Sequence, residues 1–169
     1  MIVPWLTQVV LLPANLAAAV LGPGIECRPA LAALDAPGSP HRATFARIVA
    51  AADAALQIEP MPLATIAYEG LLDTDPRRKA TVAALADMDR LADLHHAWLI
   101  TGRDAYAAHA SRIIDAWVAT ATLTGNPINE NKLWPMIQAE DALRAIRPPA
   151  ATAAYEDWLR RLVAGEAAF

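Results

Sequence analysis

The chain has 169 residues, 56% of them apolar, and carries fourteen basic against eighteen acidic residues for a net charge of −4. That length fits one domain with a sizeable core, while the acidic balance and the absence of any long like-charge run exclude a nucleic-acid surface built on a basic field. A single cysteine, Cys27, excludes an internal disulfide framework.

Much of the apolar content is alanine, the strongest intrinsic helix former, and strand signals are almost absent. Thirteen prolines against seven glycines point to helices broken by stiff connections. The expectation is one all-α domain over residues 1–169.

In chain order, Met1 to Gly22 is apolar and nearly uncharged, and Ala17-Ala18-Ala19 resembles a small-residue cleavage region. No Lys or Arg precedes Cys27, so the positive n-region of a signal peptide is missing. Pro4 and Pro13 argue against a spanning helix, and no membrane partner is expected. Between a degenerate export signal and a segment packed on the core, the second is favoured.

A Pro/Gly-rich connection follows, and then a helix from about His41 to Leu56, whose apolar residues fall at three- and four-residue steps. Leu63 to Pro76 reads as a loop, with a turn at Asp73-Thr74-Asp75-Pro76. Arg77-Arg78-Lys79 reads as a solvated helix start. The second helix runs from about Arg78 to Ile100, with Val82, Leu85, Met88, Leu91, His95 and Trp98 at helical spacing and Asp87 and Asp89 on a solvated face. Gly102 suits its C-cap and Asp104 the N-cap of a third helix, Ala105 to about Ala121, so the two form an antiparallel αα-hairpin. Further helices are expected over Lys132 to Ile146 and Thr152 to Ala164, giving a stack of antiparallel αα-hairpins.

The most unusual stretch runs from Thr124 to Pro135. Asn126, Asn129, Glu130, Lys132 and Trp134 form a set suited to sugar hydroxyls, carboxylates and pyranose faces, displayed on a loop between helices. Their structural alternative is turn and cap formation by the asparagines, with Glu130 and Lys132 pairing with each other. Tyr68, in a loop, can reach a substrate, whereas Tyr106 and Tyr155 fall on helix faces and read as packing. His95 lies on the apolar stripe and reads as a packed or wall-lining residue. The adjacent His95-His96 pair lacks the i, i+4 spacing of a helical metal site, and no metal is expected.

Taken in order, Tyr68-Glu69-Gly70-Leu71-Leu72, Ala86-Asp87-Met88, Trp98-Leu99-Ile100-Thr101-Gly102, Ile114-Asp115-Ala116-Trp117 and Gly125-Asn126-Pro127-Ile128-Asn129-Glu130 resemble the alginate lyase family over roughly Leu63 to Ile146. The resemblance implies a partial (α/α) toroid of stacked hairpins, exported to the periplasm or secreted, that cleaves uronic-acid polysaccharides by β-elimination without a metal or organic cofactor. It makes an acidic polysaccharide the expected partner, Asn126, Asn129, Glu130, Lys132 and Trp134 its binding residues, and Tyr68 and His95 the catalytic candidates. The family's neutralising Asn-His pair has no counterpart here, and the chain has about half the length such a lyase usually has. The chain is then either the N-terminal part of a longer enzyme or a shortened relative without the full active site, and a non-catalytic carbohydrate-binding or scaffold domain is the second reading.

Overall fold

The structure, a computed structural model, describes residues 21–169. The expectation that the apolar N-terminal stretch packs on the core falls mostly outside them. Among the described residues there are seven α-helical segments and no strand: α1 (Arg28–Leu34), α2 (Arg42–Ala55), α3 (Pro76–Thr101), α4 (Asp104–Thr120), α5 (Pro127–Glu130), α6 (Trp134–Leu143) and α7 (Pro149–Ala168). None of them is long and apolar enough to cross a membrane.

The central element is α3, which packs against α1, α2, α4 and α6, while α4 also meets α6 and α7. Its start is fixed by Asp75, whose carboxylate accepts from the Arg77 backbone N–H at 2.8 Å, and by Pro76 in the first turn, where a missing N–H costs nothing. Its end is fixed by Gly102, which takes the left-handed conformation at φ 75° and donates its N–H to the Trp98 carbonyl at 2.8 Å. With only Arg103 between that cap and α4, the chain reverses into the αα-hairpin that the Thr-Gly turn predicts. The buried faces of the two helices supply Met88, Leu91, Leu94, Trp98, Tyr106, Ile113, Ile114 and Trp117 to one core, joined by Leu133, Met136, Leu143 and Trp158. Each large side chain removed from water there contributes roughly 1.5–3 kcal/mol before ordering costs.

Several expectations need correction. α1 lies inside the stretch read as a connection: Pro29 sits in its first turn, where proline is tolerated. Asp104 opens α4 as a first-turn acid and does not cap it; Arg103 holds the N-cap position. The helix expected over Lys132–Ile146 is a 3-10 turn at Asn131–Leu133 followed by α6, and α7 is longer at both ends than Thr152–Ala164. On α3, Val82 is 53% exposed and Asp87 is fully buried, the reverse of what the apolar stripe implies.

The connection from Leu56 to Asp75 has no regular structure, yet it is tied down along its length. Met61 N–H donates to Asp87 (2.7 Å), the Ala64 carbonyl accepts from Thr122 N–H (2.7 Å), and Ala67 N–H donates to the Thr81 hydroxyl (3.0 Å). A connection of this length within a packed domain is either mobile or functional, and these bonds hold this one in a single course.

Candidate functional site

The asparagine-rich loop and the 56–75 connection meet at Tyr68. Asn126 caps α5, its Oδ1 accepting from the N–H groups of Ile128 (2.9 Å) and Asn129 (3.3 Å), and its amide donates to the Glu69 carboxylate at 2.5 Å. Asn129 Oδ1 accepts from the backbone N–H groups of Tyr68 (3.1 Å) and Glu69 (2.8 Å). From the other side, Arg78 donates to the carbonyls of Tyr68 (3.3 Å) and Leu71 (3.1 Å) and pairs with Asp73 at 2.9 Å. The Tyr68 backbone is thus bonded at both its N–H and its C=O by side chains from other elements.

Its ring is equally constrained by charge. The Arg78 guanidinium carbon lies 4.0 Å from the Tyr68 ring centroid and the Lys132 ammonium nitrogen 5.1 Å, both within cation–π range. Lys132 has no carboxylate partner among the described residues. Tyr68, Lys132 and Pro135 line one side of a groove of about 540 Å³ whose other side is the α3 face bearing Val82, Leu85, Ala86 and Asp89. That volume lies in the range of small-molecule and sugar-sized sites, roughly 300–1,000 Å³.

The remaining sequence-predicted residues are distributed around this groove unevenly. Trp134 is 47% exposed next to the lining residue Pro135, although it does not itself line the groove. Glu130 is buried: its carboxylate accepts from the Thr124 hydroxyl (2.9 Å), from the Gly125 N–H (3.1 Å) and from the Thr124 N–H, closing the turn before α5. It makes no ion pair with Lys132. Gly125 in that turn has φ 79°, and a Cβ there would stand 2.6 Å from the Gly165 carbonyl oxygen, so α7 approaches the loop through two glycines.

His95 does not line the groove. It is 4% exposed in the α3 core, with Nδ1 donating to the Leu91 carbonyl at 2.8 Å, and burial, assisted by the neighbouring His96 ring at 4.0 Å, pushes its pKa down to about 4. The structure therefore brings Tyr68 and Lys132 to one groove, uses Asn126, Asn129 and Glu130 to hold the surrounding backbone, and keeps His95 inside the core.

Sequence reasoning passed over Arg78 and Asp89. The run Arg77-Arg78-Lys79 divides its labour: Arg77 pairs with Asp75 (2.8 Å), Arg78 clamps the Tyr68 loop, and Lys79 lines a separate pocket with Asp73, Arg78 and Val82. The signal available was helical spacing, since Arg78, Val82, Leu85, Ala86 and Asp89 recur at three- and four-residue steps on a single face.

The sequence model of the family described as alginate lyase matches residues 34–167. This chain belongs to the alginate lyase family. The match extends beyond Leu63–Ile146 at both ends and takes in α2 and nearly all of α7. No curated protein and no solved structure is significantly similar to it.

A second polar cluster lies within this family domain, at the junction of α4, α6 and α7. Glu140, 1% exposed, meets Arg147 Nε at 2.7 Å, and Arg147 also donates to the Asp115 carboxylate (2.6 Å) and the Ser111 carbonyl (3.3 Å). The Glu140 contact is an ion contact without hydrogen-bond alignment, and both its carboxylate oxygens lack a hydrogen-bond partner. Burial pushes the Glu140 pKa from 4.5 up to about 7, against the pull of Arg147 and Arg144. The Tyr155 hydroxyl, also buried, is raised by burial and then by the Glu140 charge.

The folded state holds the Glu140 proton more tightly than the unfolded chain does, so this residue's contribution to stability is full below pH 4.5 and lost as pH rises through about 7. His95 acts oppositely: its depressed pKa favours folding above 6.5 and the benefit disappears as pH falls through about 4. The total is therefore flat where the two overlap, and the Glu140 part emerges by comparison with Glu140→Gln. The variant is expected to gain about 1–3 kcal/mol on the natural protein between pH 5 and pH 8 in urea titrations. A stability difference that does not change with pH would contradict this assignment.

Proposed function

We propose that this domain binds an acidic, uronate-containing polysaccharide in the Tyr68–Lys132 groove and cleaves it by β-elimination. The observation that carries the reading is a phenol fixed on both sides of its backbone, with a carboxylate-free lysine over its ring, in a sugar-sized groove of an alginate lyase family member.

The chemistry sets two requirements. The C5 proton of a uronate is removable only when the charge on the adjacent carboxylate is offset and the enolate-like intermediate is stabilised. Lys132 supplies a cation for that carboxylate. A group within reach must then take the C5 proton and return one to the departing O4 oxygen. Tyr68 is the tyrosine that lines the groove, whereas Tyr106 and Tyr155 are buried. Exposed Trp134 offers a flat apolar surface to the sugar chain beyond the groove. Asn126, Asn129 and Glu130 serve this site by holding the loop geometry, with the free edges of the two amides as further sugar donors. The α3–α4 hairpin, flanked by α6 and α7, is read as part of an (α/α) toroid. Action in the periplasm or outside the cell belongs to the same reading and is supported by family membership alone.

The test is incubation with polymannuronate while following the ultraviolet absorbance of the new C4–C5 double bond, together with calorimetric binding of mannuronate oligomers. Lys132→Ala is expected to weaken oligomer binding about tenfold or more, as for loss of a charged hydrogen-bond partner. Binding without product would favour the carbohydrate-binding alternative; unchanged binding in the Lys132 variant would remove the groove from consideration.

A further inference from the structure

Two cations stand over the Tyr68 ring, and they differ in where else they reach. Lys132 lines the groove, whereas Arg78 touches Tyr68 without lining it. The Arg78 guanidinium is instead enclosed by the loop that carries the phenol. Its Nη1 donates to the carbonyls of Tyr68 (3.3 Å) and Leu71 (3.1 Å), and its Nε stands 2.9 Å from the Asp73 carboxylate. Its central carbon lies 4.0 Å from the Tyr68 ring centroid. Two backbone acceptors, a carboxylate and an aromatic ring, all within residues 68–73, therefore converge on one side chain that is only 23% exposed.

We infer that Arg78 is a positioning residue for the proposed elimination: it fixes the Tyr68 phenol relative to the groove and does not itself touch the sugar. The inference rests on the reading of Tyr68 as the proton-transferring group and adds the residue that sets its geometry. Backbone and ring must be held together for this, because a bonded backbone alone leaves the phenol free to change rotamer. Asn129 fixes the N–H side of Tyr68, and Arg78 holds both its carbonyl and its ring. Lysine could not take over these contacts. A guanidinium is a planar fork that donates in several directions while lying on a ring, whereas an ammonium is a compact point charge on a flexible stem. Misplacing a reacting group by about 1 Å can cost about a hundredfold in rate, so loss of the fork should appear in turnover and not in affinity.

The experiment follows unsaturated product formation from polymannuronate across substrate concentration, for the full chain and its Arg78→Lys, Asp73→Ala and Tyr68→Phe variants. Calorimetric binding of mannuronate oligomers is measured beside it. Arg78→Lys is expected to lower kcat about ten- to a hundredfold while KM and oligomer affinity stay within about twofold. Asp73→Ala releases one side of the fork and should lower kcat about two- to fivefold at unchanged KM, the size of one exposed ion pair. Because the Asp73 side chain is 90% exposed, this variant should fold and so tests the inference even where Arg78→Lys does not. A loss that lies in KM while kcat holds would make Arg78 a substrate-binding cation. An unchanged kcat in every variant of Arg78 and Asp73 that folds would leave it a tie of the loop only. Either result overturns the positioning role, and an impaired Tyr68→Phe would show that the phenol reading survives it. If Tyr68→Phe is fully active, or the natural protein forms no product, the proposed chemistry falls and this inference falls with it.

Discussion

Tyr68→Phe is expected to lower the rate of unsaturated product formation roughly a hundred- to ten-thousand-fold, the usual contribution of a positioned general acid or base. The substitution removes one oxygen and leaves the ring that Arg78 and Lys132 cover, so the groove keeps its shape and its cations. The backbone bonds from Asn129 and Arg78 do not involve the hydroxyl and should persist. Oligosaccharide affinity should therefore change little while turnover collapses. A variant that loses affinity while its turnover at saturation stays intact would show the phenol to be a binding group, and a fully active variant would remove it from the chemistry. Asn129→Ala provides a companion measurement. It leaves the phenol but frees two N–H groups of the Tyr68–Glu69 segment, so its effect should appear as a less well-aligned phenol rather than a missing one.

The long periodic helices were legible in the sequence, because α3 and α4 carry apolar residues at helical steps and are separated by a Thr-Gly stop. What failed was the assignment of individual faces. α3 touches four other helices, so its buried surface is broader than one stripe, and an acid can be buried on it when donors converge. Asp87 meets that condition through partners 26 and 30 positions away, which no local pattern displays. Val82 is displaced outward because its face borders the groove rather than another helix. The asparagine-rich loop was visible by composition, but the direction of its amides was not: Asn129 turns to a backbone segment about sixty residues earlier. Tyr68 stood out only as a tyrosine in a loop. Its cations come from the start of α3 and the turn before α6, and only the fold joins them.

Asp87→Ala is expected to destabilise the domain by about 3–5 kcal/mol, a large fraction of the 5–15 kcal/mol typical of a whole domain. The carboxylate is fully buried and serves three donors from three parts of the chain. Oδ2 accepts from Met61 N–H (2.7 Å) and from the Trp117 indole (2.8 Å), and Oδ1 pairs with Arg90 at 2.5 Å. Removing it strands a backbone N–H, an indole N–H and a largely buried guanidinium, and each stranded donor carries its own desolvation cost. Asp87→Asn keeps the shape but loses the charge and turns an amide toward at least one donor, so it should cost less than Ala without being neutral. Trp117→Phe removes a donor along with its bond, and should be the mildest of the three at about 1–2 kcal/mol. Urea titrations give the order, and a loss under 1 kcal/mol for Asp87→Ala would mean that the three bonds do not cooperate. The functional consequence follows from where those bonds lead. Met61 lies in the irregular connection from Leu56 to Asp75, and its bond to Asp87 is one of the ties that carry this chain to Tyr68. An Asp87 variant assayed well below its unfolding temperature should therefore lose alignment of the groove before it loses its helices. Helical circular dichroism would stay near that of the natural protein while oligosaccharide binding weakens, because the bonds from Met61 and Ala67 that tie the connection to α3 end on side chains.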